Sequence, residues 1–208
     1  MTRIAGFSWM MIAAAGAAFG QYKTEDTGSA DAAAAFKPVL EAKGVKILDA
    51  AGKIYCEIWL RAALPPAIKS TEQNITLPEI PPGAVLGVIS FPAASSDRRG
   101  QLIKPGVYTL RYGQFPITGD HQGVAPQRDF VVLSRIADDA DPAAMPVFDA
   151  LMAMSRKGSG TTHALIMSIW KTDSFAPGLA KEGEHDWVLQ RKLGAIPLSI
   201  ILIGKSEG

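Results

Sequence analysis

The chain has 208 residues, 48% of them hydrophobic, which is enough apolar side chain for one principal domain with a full core. Its 21 basic and 20 acidic residues give a formal net charge of +1, which argues against a surface built to hold nucleic acid or an anionic membrane. Twenty glycines and fourteen prolines are spread along the chain and predict many short strands joined by tight turns.

The first residues have the features of an export signal. Arg3 precedes an apolar run, rich in alanine and glycine, from Ile4 to Gly20, and small residues suited to cleavage end the run. This pattern predicts a Sec-type signal peptide over residues 1–20 and therefore a periplasmic or secreted protein. The alternative is a retained anchor, but the run is shorter than the ~20 apolar residues of a spanning helix. We therefore expect no stable membrane span.

Residues 21–43 are polar and rich in alanine, which predicts a linker or a short helix outside the core. The β domain is predicted over residues 44–208, because apolar residues begin to alternate with polar ones at Val45 and continue to Ile58. Cys56, the only cysteine, lies within this alternating run and is interpreted as a buried small hydrophobic residue. The fold must then rely on core burial without a disulfide.

The next segments predict an irregular excursion followed by a buried strand. Residues 61–82 are rich in proline, which leaves room for at most an edge strand at Asn74–Leu77. Ala84–Phe91 is a continuous apolar run, the pattern of a strand buried on both faces.

The most informative stretch runs from Lys104 to Ser134. It predicts two strands, Gly106–Tyr112 and Arg128–Ser134, separated by a loop rich in glycine and proline. Alternation along the first strand places one set of side chains on one face and a second set on the other. The first set is Val107, Thr109 and Arg111, and the second is Tyr108, Leu110 and Tyr112.

The strings PGVYTLRYG, GDHQG and PQRDF in this stretch resemble a group of exported bacterial β-sandwich proteins of unknown activity. The distinctive part of the resemblance covers about a third of the chain. It implies an exported β-sandwich and implies no known activity.

The remainder predicts one helix and a return to strands. The acidic cluster Asp138–Pro142 is interpreted as a helix cap and solvated turn rather than a calcium site, and Gly158 as the residue just after the helix. Three β-rich runs follow, over residues 164–170, 185–193 and 197–203. Eight or nine short strands and one helix predict an all-β fold, an antiparallel sandwich or barrel. We expect an immunoglobulin-like or jelly-roll-like sandwich.

Candidate binding residues concentrate in the loop Gln114–Arg128. Asp120 and His121 are predicted at its apex, and Arg128 and Asp129 at its exit, with Arg111 on the adjoining strand. An arginine offers a planar fork of donors that suits an anion or sugar hydroxyls. The alternative is structural, an Arg–Asp corner that ties the loop to the sheet.

Metal binding is a second hypothesis. His121, His163 and His185 would form a transition-metal site with Asp120 if strand ends converge, but no pair has a spacing that enforces this. The sequence predicts no cofactor, and the alternative is a divalent metal bound at this site. No nucleophile elbow, phosphate loop or HExxH motif is present.

These observations favour a non-catalytic protein that binds a small molecule, a glycan or an envelope protein. The alternative functions are a metal- or carboxylate-dependent hydrolase acting on envelope polymers, and a purely structural envelope protein.

Overall fold

The computed structural model describes residues 22–117 and 127–205. Over these residues the chain forms short β-strands, two single-turn 3₁₀ helices and one α-helix. The strands are β1 (Lys23–Thr27), β2 (Gly44–Leu48), β3 (Ile54–Leu60), β4 (Val85–Phe91), β5 (Ser95–Ser96), β6 (Leu102–Ile103), β7 (Gly106–Gln114), β8 (Asp129–Arg135), β9 (Leu165–Lys171), β10 (Gly178–Glu182), β11 (Asp186–Leu193) and β12 (Ile196–Ile203), and the helix is α1 (Phe148–Ser159).

Ten of these strands form one continuous antiparallel sheet in the order β1-β2-β3-β4-β7-β8-β9-β12-β11-β10. The edge strands β1 and β10 approach each other, so the sheet is nearly barrel-like. β5 and β6 form a separate small hairpin. The all-β antiparallel class is therefore confirmed, whereas the predicted sandwich is not.

The sheet has two ends, which differ in what closes them. The loop end carries the long connections between β3 and β4 and between β7 and β8. The hairpin end carries the β5–β6 hairpin, between β4 and β7, and the starts of β9 and β11. A seven-residue strand such as β8 separates the two ends by about 20 Å.

The interior of the sheet is packed with apolar side chains from almost every strand. Tyr108, Leu110 and Tyr112 of β7 point into this core, as the alternation predicts. At the loop end the core is closed by Leu77 and Ile80, which are fully buried although their segment forms no strand. These two residues replace the edge strand expected at residues 74–77.

Two further apolar clusters cover the outer face of the sheet. Helix α1 packs on β8 and β9 through Leu151 and Met152. Phe36 and neighbouring residues of the N-terminal segment pack on β3 and β4 around Trp59.

The N-terminal segment therefore differs from the linker or short helix predicted outside the core at residues 21–43. Its strand β1 pairs with β2 in register, and Phe36 is fully buried. The strand was missed because β1 is an edge strand whose side chains are largely exposed, so its sequence, KTEDT, shows no apolar alternation.

Helix α1 also differs from its predicted limits. It begins at Phe148, several residues after the acidic cluster, and its C-cap is Gly160 in the left-handed conformation. Gly158, predicted just after the helix, is buried inside it, and a Cβ there would meet the Arg135 side chain. Strand β10 was not predicted, because its sequence, GLAKE, shows no apolar alternation and its last three residues are exposed at the sheet edge.

Candidate functional site

Arg111, a predicted binding residue, is fully buried on the outer face of β7. Its Nε and Nη2 donate to the Asp139 carboxylate at 2.6 and 2.7 Å. The remaining donors reach three backbone carbonyls, those of Gly83, Ala144 and Asp141. All five guanidinium N–H groups thus have acceptors within the protein, which leaves none for a ligand.

The partner of Arg111 comes from the acidic cluster that the sequence predicted to be a cap and solvated turn. That prediction is wrong for Asp139, which is 5% exposed and also accepts a hydrogen bond from Thr109 Oγ1 at 2.6 Å. The buried arginine and the hydrogen bonds to both carboxylate oxygens offset the desolvation cost of the Asp139 charge. Asp141 instead accepts from the backbone N–H of Ala143 and organises its own turn.

Asp129 is likewise enclosed. Its carboxylate accepts the backbone N–H groups of Thr76 at 2.7 Å and Leu77 at 3.2 Å, and the hydroxyl of Tyr112. Burial raises the pKa of Tyr112 far above its ordinary value, and the neighbouring Asp129 charge and hydrogen bond raise it further. Asp129 therefore ties the segment that plugs the loop end to the central strands.

Arg128 has a more open position at the loop end. Its Nε donates to Phe115 O at 2.6 Å, and its Nη1 donates to Glu72 Oε2 at 3.0 Å and to Gln73 O at 2.7 Å. Its side chain is 16% exposed. Within residues 22–117 and 127–205, no acceptor receives a hydrogen bond from Nη2, so two N–H groups remain for a ligand or water.

Arg128 lines a cleft of about 150 Å³ at the loop end, which we call the rim cleft. The cleft lies where the β7–β8 loop leaves and rejoins the sheet, beside the start of α1. Its lining combines polar groups with prolines and an aromatic ring: Glu72, Pro82, Gly83, Tyr112, Gly113, Gln114, Arg128, Pro146, Phe148 and Leu151.

The polar side of the rim cleft offers both donors and acceptors. Gln114 donates one amide N–H to Tyr112 Oη at 3.2 Å, which fixes the orientation of the amide. Among the described residues, Gln114 Oε1 and Glu72 Oε1 accept no hydrogen bond. These two acceptors, together with Arg128 Nη2, give the cleft hydrogen-bonding groups of both kinds within a small volume.

The apolar side of the rim cleft continues into an exposed patch. Met145, Val147 and Phe148 are consecutive or nearly so in the chain and are 43%, 73% and 37% exposed. The Phe148 ring is held edge-on against Phe130 at 6.4 Å. Large apolar side chains exposed together at the mouth of a cleft are a common feature of binding surfaces.

Two glycines leave the wall of the rim cleft without side chains. A Cβ on Gly113 would lie 2.6 Å from the Phe130 ring. A Cβ on Gly83, whose φ is +85°, would lie 2.6 Å from Pro146 O. The cleft therefore depends on glycine at both positions.

The apex residues Asp120 and His121 lie outside the described residues, so their predicted role stays a prediction. The two other histidines are exposed at the hairpin end: His163 precedes β9, and His185 precedes β11. The β7–β8 loop leaves the sheet at the opposite end. Over the described ranges, no group of three histidine, cysteine, aspartate or glutamate side chains could hold a metal.

Cys56 and Trp59 both have structural surroundings. Cys56 is buried in the core as predicted, and burial raises the pKa of its thiol far above the ordinary value. Trp59 donates its indole N–H to Gly28 O at 2.7 Å under the N-terminal segment. No helix in the part of the chain that the structure describes is long and apolar enough to cross a membrane.

Sequence reasoning identified Arg128 but missed the residues that complete the rim cleft. Glu72, Gln114 and Phe148 come from three separate segments, and only the folded topology brings them together. The one local signal was the start of α1, where Val147 and Phe148 are apolar at positions that a solvated helix start would leave polar.

A scan against models of protein families finds no match for this chain, and searches of curated proteins and of solved structures find no significant match either.

Proposed function

We propose that the protein is an exported, non-catalytic binding protein whose ligand occupies the rim cleft at the base of the loop Gln114–Arg128. The observation that carries the proposal is the rim cleft itself. Counted over the described residues, an arginine with two unused N–H groups, two unused acceptors and an exposed aromatic ring line one small volume at the base of the predicted binding loop. Concave sites of this kind, apolar with a few convergent polar groups, are the usual form of small-ligand sites.

The loop contributes the second part of the proposed site. Phe115 and Arg128, at the two ends of the loop, are hydrogen-bonded to each other, and Arg128 also bonds to the segment around Gln73, so the loop has a rigid base. We propose that Asp120 and His121 also contact the ligand. Functional residues presented on a loop by a rigid β scaffold are the common arrangement.

The export part of the proposal rests on the N-terminal sequence, with its basic residue, short apolar run and small residues. A periplasmic or secreted location then makes envelope components or extracellular solutes the available ligands. N-terminal sequencing of protein recovered from the periplasm or medium tests this, and an intact Met1 would contradict signal cleavage.

The alternative is a metal- or carboxylate-dependent hydrolase acting on envelope polymers. Its metal form would use Asp120, His121, His163 and His185, with at least two of the histidines close to one point. The described geometry favours the binding protein, because His163 and His185 lie at the hairpin end and the loop leaves from the loop end. Metal content after purification without an affinity tag tests the alternative directly.

The test of the proposed function is a thermal-shift screen of the wild-type protein with small solutes, glycans and divalent metals. We expect at least one compound to raise the melting temperature, since a ligand that binds only the folded state stabilises it. The double variant Asp120→Ala, His121→Ala should melt near the wild-type temperature without ligand and should lose the shift.

The matched control is the double variant His163→Ala, His185→Ala, which removes histidines from the opposite end of the sheet. It should keep the full ligand-induced shift. If this control loses the ligand-induced shift in melting temperature, the proposal is contradicted and the hydrolase is favoured. The same holds if the shift requires a bound metal.

A further inference from the structure

We infer that the ligand of the rim cleft is a saccharide, bound through one sugar ring. This inference rests on the proposed function and specifies its ligand class. It follows from the charge balance, the hydrogen-bonding groups and the size of the cleft.

The charge balance favours a neutral ligand. Arg128 is the basic residue of the lining, and its Nη1 is already paired with the Glu72 carboxylate at 3.0 Å. An anionic ligand would meet a guanidinium whose charge is offset and would approach a carboxylate of the same sign as itself. A neutral, strongly hydrogen-bonding molecule has no such cost.

The unused hydrogen-bonding groups fit vicinal hydroxyls. Each sugar hydroxyl both donates and accepts, so adjacent hydroxyls need donors and acceptors side by side. Over the described residues, the rim cleft offers the two N–H groups of Arg128 Nη2, and the free acceptors Gln114 Oε1 and Glu72 Oε1. A simple anion only accepts hydrogen bonds and would leave the two acceptors unused.

The apolar wall fits the carbon-bound face of a sugar ring. Phe148 is 37% exposed and its ring is held in place by Phe130, and Pro82 and Pro146 flank the same cleft. An aromatic ring with a fixed orientation gives such a ligand a large contact area at little cost in side-chain entropy.

The size of the cleft limits the ligand to one ring at a time. Its volume is about 150 Å³. This is smaller than the several hundred Å³ of sites for drug-sized molecules. A longer glycan would therefore place one unit in the cleft and extend over the exposed patch of Met145, Val147 and Phe148.

The test is calorimetric titration of the mature wild-type protein with the methyl glycosides of glucose, galactose, mannose and N-acetylglucosamine. Sodium acetate, sodium phosphate and tetraalanine serve as anion and peptide comparators. We expect saturable binding of at least one glycoside and none of the comparators. Gln114→Ala and Phe148→Ala should each weaken that binding about tenfold, the effect of losing one good contact.

Both substitutions are at partly exposed side chains, and circular dichroism and denaturant unfolding verify the fold. Gln73→Ala is the matched control, because its exposed side chain lies beside the cleft without lining it, and it should bind like the wild type. Arg128 is not substituted, since its side chain also anchors two loops.

The saccharide inference is overturned if no glycoside binds, or if binding is unaffected in both Gln114→Ala and Phe148→Ala. It is also overturned if acetate, phosphate or the peptide binds with the same dependence on these two residues. In that last case the binding function would stand and the ligand class would be wrong. Loss of the proposed function is recognised separately, by a thermal-shift screen in which no compound of any class acts through the loop.

Discussion

The buried pair of Arg111 and Asp139 shows how much of this fold depends on single polar side chains. Both residues are removed from water, and the pair also holds the segment before α1 against β7 through the carbonyls of Ala144 and Asp141. Removing one member leaves the other charge buried without compensation, which is far more costly than losing an exposed pair.

We therefore expect Asp139→Ala to lower the free energy of unfolding by about 3–5 kcal/mol, measured by urea unfolding. The matched control is Asp31→Ala, which breaks the exposed pair with Lys37 and should leave stability unchanged within error. Equal effects of the two substitutions would contradict the structural role of the buried pair.

A second residue-scale property is the response to alkaline pH. Burial raises the pKa of Tyr55 to about 12 from an ordinary value of 10.0. The folded state thus holds the phenol proton more tightly than the unfolded state. The contribution of the protonated phenol to the free energy of unfolding is therefore complete below pH 10 and is lost as pH rises towards 12. By pH 11 the loss from Tyr55 alone is on the order of 1 kcal/mol.

Urea unfolding at pH 8 and pH 11 checks this prediction. The free energy of unfolding of the wild type should fall by at least that amount between the two pH values. In Tyr55→Phe the fall should be smaller than in the wild type by about that amount. A Tyr55→Phe variant whose pH dependence matches the wild type would contradict the assignment.

At the scale of elements, Ser155 joins α1 to the sheet. Its hydroxyl donates to Leu133 O of β8 at 2.6 Å and accepts the Leu165 N–H of β9 at 2.8 Å. Ser155 is fully buried, so no water replaces it when the hydroxyl is removed.

Ser155→Ala should therefore destabilise the protein by about 1–3 kcal/mol, because the Leu165 N–H loses its partner. Ser174→Ala is the control, since this exposed side chain makes no hydrogen bond within the described residues. Thermal or denaturant unfolding of both variants measures the difference. A Ser155→Ala variant as stable as Ser174→Ala would show that the bridge contributes nothing.

How far the sequence predicts the elements depends on how they are buried. β4 and β7 were predicted closely, because a continuous apolar run and a period-two alternation are both direct signals of a strand. Burial of the outer face of β7 was not evident, since Thr109 and Arg111 are polar yet fully buried there. β1 and β10 were missed because edge strands have polar, exposed side chains. No local sequence pattern predicts the rim cleft, because its lining residues come from separate segments that only the folded topology brings together.

At the scale of the whole molecule, the seam between β1 and β10 is the one open line in the sheet of described residues. Each strand is hydrogen-bonded to a neighbour on one side only, whereas β7 and β8 lie at the centre of the sheet. Hydrogen exchange measures this difference, because protection follows the free energy needed to open each strand.

We expect the seam-facing amides of β1 and β10 to exchange fastest among the strands, and the amides of β7 and β8 to be protected to the level of global unfolding. Equal protection in all ten strands would contradict the open seam and would indicate a fully closed sheet.

The central claim is that ligand recognition takes place at the loop end of the sheet. Chemical-shift mapping of ¹⁵N-labelled protein, with a ligand found in the thermal-shift screen, tests this most directly. The account predicts that saturable shift changes concentrate on Gln114, Arg128 and the start of α1, including Phe148. Shift changes concentrated instead around His163 and His185, at the hairpin end, would contradict it.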